Sequence, residues 1–176
     1  MAMPTVQYEK WRLLARALMN AGVISADASL LLRFNLGIPP LTETLAVAIA
    51  RYMQGITVTN NIEFDAVACG QLSIPFARVL ARLFVGKNDK QCITLFEDEH
   101  AGKRHVVDMG GKILPTVQKV LLVKGFTITS DDTLNTIQFL QKNGICVSDC
   151  IVFVDFDRDA RSSLQEWRCT LHPIFS

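Results

Sequence analysis

The sequence predicts an α/β fold: a mostly parallel, twisted sheet flanked by helices, with an N-terminal helical segment. Three observations predict it. Short apolar-rich runs recur at Phe64–Cys69, Cys92–Phe96, Val120–Val123 and Ile151–Val154, and such runs suit strands buried on both faces. Between them, Phe76, Val79, Leu80 and Leu83, and later Leu134, Ile137 and Leu140, fall at helical spacing. Strand–helix–strand alternation then calls for crossovers that lay helices on the faces of a parallel sheet.

Taken in order, Trp11, Leu14, Ala15 and Leu18 follow the pattern of an amphipathic helix that Asn20-Ala-Gly22 can end. Gly37-Ile-Pro-Pro40 breaks the chain. Thr42 or Thr44 caps a second helix through Leu45, Ile49 and Met53. After the strand at Phe64–Cys69 comes a turn from Gly70 to Ser73; Ser73 serves as N-cap, with Pro75 where a first-turn proline is tolerated. A charged, glycine-containing insertion between Glu97 and Pro115 reads either as a flexible loop or as a short β-arm across the site. The last crossover helix stops at Asn143-Gly144. With no repeat, low-complexity tract or linker, residues 1–176 are expected to form a single domain.

Bulk properties exclude several classes. The chain of 176 residues is 49% hydrophobic and 20% charged, with a formal net charge of +1. That balance gives no long-range attraction to nucleic acid or a membrane surface, and neither is expected as a partner. No apolar run approaches the roughly 20 residues that span a bilayer, and Tyr8-Glu-Lys-Trp-Arg12 interrupts any secretory signal. A cytoplasmic location is expected. The five cysteines (Cys69, Cys92, Cys146, Cys150, Cys169) contain no C-x-x-C pair. They read as reduced, buried thiols acting as small apolar residues, and no metal site is expected.

The segment Val120 to Thr133 carries the most information. A strand–turn–helix aims free backbone N–H groups at whatever anion occupies the turn. Here the turn holds Asp131 and Asp132, which a phosphate would meet as two like charges. A carboxylate about 5 Å from a phosphate costs on the order of 3 kcal/mol at an effective dielectric near 20. Two would remove roughly four powers of ten in affinity. The same acids suit the N-terminus of a helix, where they satisfy orphan N–H groups and favour the dipole.

From Phe64 to Ser176 the chain resembles the orotate phosphoribosyltransferases, which have the type I phosphoribosyltransferase fold. Phe64 to Ala77 is similar to the family's strand, pyrophosphate loop and "G-I-P-L-A" helix start; Glu99 to Arg104 to the end of its catalytic loop, "K-D-[HY]-G-x-x-[KR]"; Val120 to Leu140 to the diphosphate-sugar motif and its helix. Gln141 to Asp155 resembles "x-x-x-G … V-L-V-D-R", and Leu164 to Phe175 the closing "G-I-P-V-H-S-L" strand. Residues 64–176 thus resemble the family core, and 1–60 form a divergent helical part. There Phe34 to Pro40 replaces the substrate hairpin "F-x-L-x-S-G-x-x-S-P-x-Y".

The resemblance implies a homodimeric glycosyltransferase of pyrimidine nucleotide metabolism, with magnesium if active. Its chemical positions then fail one by one. Where the family has two adjacent acids for the ribose hydroxyls, this chain has Lys124-Gly125. In place of the phosphate loop "T-[ST]-G-x-[ST]", whose glycine lets backbone donors approach, it has Ile128 to Asp132, or Thr129, Ser130, Asp131, Asp132 and Thr133 with a one-residue shift. In the degenerate pyrophosphate loop Gly70, Gln71, Leu72 and Ser73, Leu72 stands at the lysine position. Thr94 to His100 puts acids where the family's loop cations neutralise the leaving pyrophosphate. Asp155-Phe156 replaces "D-R", unless Arg158 substitutes.

Other motifs have simpler readings. Glu97, Asp98 and Glu99 with His100 and His105 contain metal-ligand types, yet a charged loop is ordinarily solvated. Gly110-Gly111-Lys112 lacks the first glycine and the hydroxyl of a nucleotide-binding loop, so it reads as a tight turn. Asp155, Asp157 and Asp159 alternate with Arg158 and Arg161 as a salt-bridged surface turn.

Three functions remain. The first is a non-catalytic phosphoribosyltransferase-like protein, a pseudoenzyme serving as a binding or assembly module with a protein partner. The second is an active transferase using His100, Lys103 and Arg104, with Arg158 as a further cation. The third is a nucleotide sensor without turnover.

Overall fold

The computed structural model describes residue 16 and residues 24–26, 32–34, 43–70, 73–84, 91–100, 103–108, 116–127, 130–155 and 159–175. Two short strands, β1 (Ile24–Ala26) and β2 (Leu32–Phe34), pair antiparallel as a separate unit. The main sheet contains β3 (Ala66–Gly70), β4 (Gln91–His100), β5 (Lys103–Asp108), β6 (Lys119–Thr127), β7 (Cys146–Asp155) and β8 (Thr170–Phe175). Their order is β5-β4-β3-β6-β7-β8. Pairings are parallel throughout except for the antiparallel β4–β5 edge. Four helices accompany them among the described residues: α1 (Glu43–Thr59), α2 (Ile74–Leu83), α3 (Ser130–Lys142) and α4 (Ala160–Glu166).

Each face of the sheet has its own apolar core, divided by strand alternation. On one face Val67, Cys69, Leu121, Val123, Ile151 and Phe153 pack with Ile49 and Met53 of α1 and Phe76 and Leu80 of α2. On the other, Ala66, Ala68, Val120, Leu122, Cys150 and Val152 pack with Ile137 and Leu140 of α3 and Leu164 of α4. Burial of each such aliphatic side chain contributes about 1.5–3 kcal/mol. Gln54 of α1 donates from Nε2 to the Leu83 carbonyl (3.1 Å), tying α1 to the end of α2. Asp65 Oδ2 accepts the backbone N–H groups of Gln118 (3.0 Å) and Lys119 (2.9 Å), which fixes the start of β6 beside that of β3.

Helix ends follow local chemistry. Past α3, Ile145 N–H bonds the Leu140 carbonyl (3.0 Å) and Gly144 N–H the Gln141 carbonyl (3.0 Å), with Gly144 at φ +76°. This is a Schellman closure, and buried Ile145 and Leu140 supply its apolar contact. The stop expected at Asn143-Gly144 is there. The same pattern ends α4, with Cys169 N–H on Leu164 and Arg168 N–H on Gln165, but here Arg168 takes the left-handed position at φ +56°.

Several boundaries differ from expectation. The first sheet strand begins at Ala66 and not Phe64, because Asp65 is engaged with the β6 backbone. The fourth runs from Cys146 to Asp155, longer than Ile151–Val154. Leu164 lies in a helix, and the closing strand begins only at Thr170. Thr44 is the second residue of α1, past the cap position; Thr42, the helix around Trp11 to Leu18 apart from helical Arg16, and Gly37 to Pro40 lie outside the described residues.

Candidate functional site

The connection after β3 leads through α2 to β4, on one side of the sheet. That after β6 leads through α3 to β7, on the other. Adjacent parallel strands whose connections depart in opposite directions open a crevice beyond their C-terminal ends, where open α/β sheets bind ligands. The crevice here lies between the end of β3 at Gly70 and the end of β6 at Thr127, flanked by the N-termini of α2 and α3.

On the β3 side, Gly70 is half-buried, and a Cβ added to it would meet nothing within 4 Å. Gln71 and Leu72 lie outside the described residues. Ser73 occupies the N-cap position of α2 with φ −96° and ψ −6°, 1% exposed, but makes no side-chain cap hydrogen bond. Its position matches the expected cap; its chemistry does not.

On the β6 side, Lys124 is half-buried and Gly125 buried, near the end of the strand. Lys124 and Asp155 both act electrostatically on the Cys150 sulfur. Burial pushes that thiol up to about 12, the Lys124 charge opposes the rise, and Asp155 and Asp149 add to it. The strand end where the resemblance implies two acids thus presents a cation and a glycine.

Helix α3 begins at Ser130, ahead of the apolar positions Leu134, Ile137 and Leu140 that mark it in the sequence. Asp131 and Asp132 therefore lie within the first turn and not before it, Asp131 exposed and Asp132 half-buried. Both acids thus occupy first-turn positions where carboxylates favour the helix dipole. Thr133 is fully buried, and among the described residues its Oγ1 is the one buried side-chain oxygen or nitrogen without a hydrogen-bond partner. Thr129 lies outside the described residues, as does the side chain of Ser130.

His100, Lys103 and Arg104 fall together on the β4–β5 hairpin, in the form of the short β-arm. β3 ends opposite Leu95, so β4 runs on through His100 beyond the sheet's C-terminal edge, on the side of the crevice. The register sets His100 opposite Lys103, Glu99 opposite Arg104 and Asp98 opposite His105. Side chains of this arm, with residues 109–115 and Phe156, Asp157 and Arg158, lie outside the described residues. Among the described residues, no three His, Cys, Asp or Glu side chains group as a metal site.

Two polar clusters escaped the sequence reading. Ser148 Oγ donates to Asp149 Oδ2 (2.6 Å), and Asp149 Oδ1 lies 2.9 Å from His172 Nε2. The carboxylate stands between serine and imidazole, so the histidine cannot take the serine proton as a nucleophile's base must. The other cluster is Cys69 with Cys92, whose Sγ atoms are 4.0 Å apart. Hydrogen bonding with Cys92, then burial, raises the Cys69 pKa far above its ordinary value; the bond from Cys69 lowers that of Cys92. Adjacent strands bring these thiols together, and only the register reveals it.

Compared by sequence, the chain matches no protein-family model and none of the curated proteins. Its structure does find likenesses. A phosphoribosyltransferase from Corynebacterium diphtheriae superposes with a TM-score of 0.71 at 16% identity, covering 95% of each chain. Orotate phosphoribosyltransferase from Aeropyrum pernix gives 0.67 at 18% identity and 92% of each chain. That of Mycobacterium tuberculosis H37Rv, in complex with 5-phospho-α-D-ribosyl 1-diphosphate, gives 0.62 at 17% identity over 99% of this chain and 90% of its own. The chain has the type I phosphoribosyltransferase fold. Within that fold it is orotate phosphoribosyltransferase-like in architecture. No helix among the described residues is long and apolar enough to cross a membrane.

Proposed function

We propose that this protein is an orotate phosphoribosyltransferase-like pseudoenzyme, a cytoplasmic homodimer that binds or assembles with a protein partner and does not turn over phosphoribosyl diphosphate. The observation that carries the reading is the end of β6, where half-buried Lys124 and buried Gly125 stand at the crevice. A ribose diphosphate needs hydrogen-bond acceptors for its hydroxyls there, and neither residue supplies one from its side chain. The β4–β5 arm reinforces the point. Its register sets Arg104 opposite Glu99 and His105 opposite Asp98, with Lys103 opposite His100; the first two placements favour internal neutralisation over neutralisation of a leaving pyrophosphate. Magnesium, which turnover would require, prefers carboxylate and phosphate oxygens, and a lysine–glycine pair at the strand end does not fit it.

One observation favours a second reading, a nucleotide sensor without turnover. Thr133, in the first turn of α3 beside the crevice, has a buried hydroxyl without a hydrogen-bond partner among the described residues, and a buried polar group in that state calls for one. Calorimetry with phosphoribosyl diphosphate and magnesium, beside orotate and orotidine monophosphate, separates the readings. No heat with any of them supports the assembly module. Saturable heat without product supports the sensor. Product formation would overturn both.

A further inference from the structure

Cys69 and Cys92 converge on the sheet face that carries α1 and α2. Cys69 is the penultimate residue of β3 and Cys92 the second of β4. The register pairs Val67 with Cys92 and Cys69 with Thr94, so the cysteines are diagonal neighbours, two residues apart along the strands. Their sulfurs nevertheless come within 4.0 Å. Cys69 is buried and Cys92 half-buried, and the positive charge of Arg78, an exposed residue of α2, acts on both.

A disulfide suits this geometry poorly. One strand spacing of about 4.8 Å and two residue rises of about 3.3 Å separate the Cα atoms by roughly 8 Å. That exceeds the limit of about 7 Å beyond which a bridge needs backbone movement. A bridging metal needs no such shift. Two thiolate–metal bonds of about 2.3 Å placed near-linearly reach about 4.6 Å, so a side-chain adjustment of about half an ångström from the 4.0 Å separation suffices. Zinc in a structural site takes four ligands, and the described residues offer no group of three or more His, Cys, Asp or Glu. A soft cation content with few thiolate ligands fits better.

We propose that Cys69 and Cys92 form a two-thiolate site for a soft monovalent cation, copper(I) being the physiological candidate. Binding releases both thiol protons and forms two Cu–S bonds, with no change of oxidation state. The resulting bis-thiolate carries one net negative charge, which Arg78 offsets. The half-buried Cys92 is the entry side, and buried Cys69 completes the pair.

The test is anaerobic titration of the reduced full-length protein with copper(I) buffered by bicinchoninate, together with Cys92→Ser and Cys146→Ser. One equivalent should leave the chelator for the wild-type protein. Removing a direct ligand should cost more than the roughly 10–100-fold of an outer-shell change, so Cys92→Ser should lose at least about 100-fold in affinity. Cys146→Ser, which alters an exposed thiol, should bind as the wild type does. Retention of the equivalent by Cys92→Ser, or its loss in Cys146→Ser, would overturn the assignment. X-ray absorption at the copper edge of the loaded wild type keeps the test open even if a variant fails to fold. Two sulfur neighbours support the site; one sulfur, or nitrogen and oxygen alone, refutes it.

Discussion

Glu99 of β4 stands directly opposite Arg104 of β5, and one position back Asp98 stands opposite His105. An arm that neutralises a ligand's negative charge would be expected to leave its cations available to that ligand. Here the backbone register sets Arg104 and His105 opposite acids of the same arm, and Lys103 opposite His100. Opposite charges at facing positions stabilise an antiparallel pair, and like charges destabilise it.

Glu99→Lys places lysine opposite Arg104 and should destabilise the protein by about 0.2–1 kcal/mol. It should not confer turnover, because the defect at Lys124-Gly125 is separate. Urea unfolding measures the first effect, and pyrophosphate release the second.

Asp131→Ser with Asp132→Ser removes both acids from the first turn of α3. Phosphate affinity should rise by at least about tenfold, less than two buried charges would give, since Asp131 is exposed and its field screened. Loss of favourable dipole interactions should cost about 0.3–1 kcal/mol per residue. Phosphate titration followed by amide NMR checks the affinity; an unchanged value would show that these acids do not guard the turn.

Cys150 gives a pH dependence with a defined sign. Its thiol ordinarily ionises near 9.0, and burial raises it to about 12 in the folded protein. The unfolded chain therefore releases this proton first as pH rises, and stability present below pH 9 is lost toward pH 12. One such group gives a slope of about 1.4 kcal/mol per pH unit. Cys150→Val should flatten the dependence of the urea midpoint relative to wild type over that window. Identical slopes would refute the assignment.

Arg168 is a non-glycine residue in the left-handed position that ends α4. Such a conformation costs an L-residue roughly 1–2 kcal/mol, part of which glycine returns as chain entropy. Arg168→Gly should stabilise the protein by about 0.5–1 kcal/mol, read as a rise in Tm.

Much of this architecture was legible because it rests on local signals. The strands at Val67, Leu121 and Ile151 are uninterrupted apolar runs, and Gly144 marks the end of α3 in the sequence itself. The start of α3 was not legible from periodicity because Ser130, Asp131 and Asp132 give its first turn no apolar residue. Helix α4 was missed because it is short and buries only Ala160 and Leu164. The extension of β4 through His100 carries acids and no apolar alternation, so composition left loop and β-arm equally open. The Cys69–Cys92 and Asp149–His172 contacts depend on strand register, which a single sequence does not encode. The buried Thr133 hydroxyl, without a partner among the described residues, depends on tertiary packing that a single sequence does not encode.

The central claim is that the crevice between β3 and β6 no longer transfers a phosphoribosyl group. Release of pyrophosphate from phosphoribosyl diphosphate and magnesium, with and without orotate, tests it most directly. The predicted result is a rate no greater with the protein than without it at any orotate concentration. Orotate-dependent pyrophosphate release by the unmodified protein would contradict the account, and would mean that Lys124 and Gly125 stand where an active site works without the two acids.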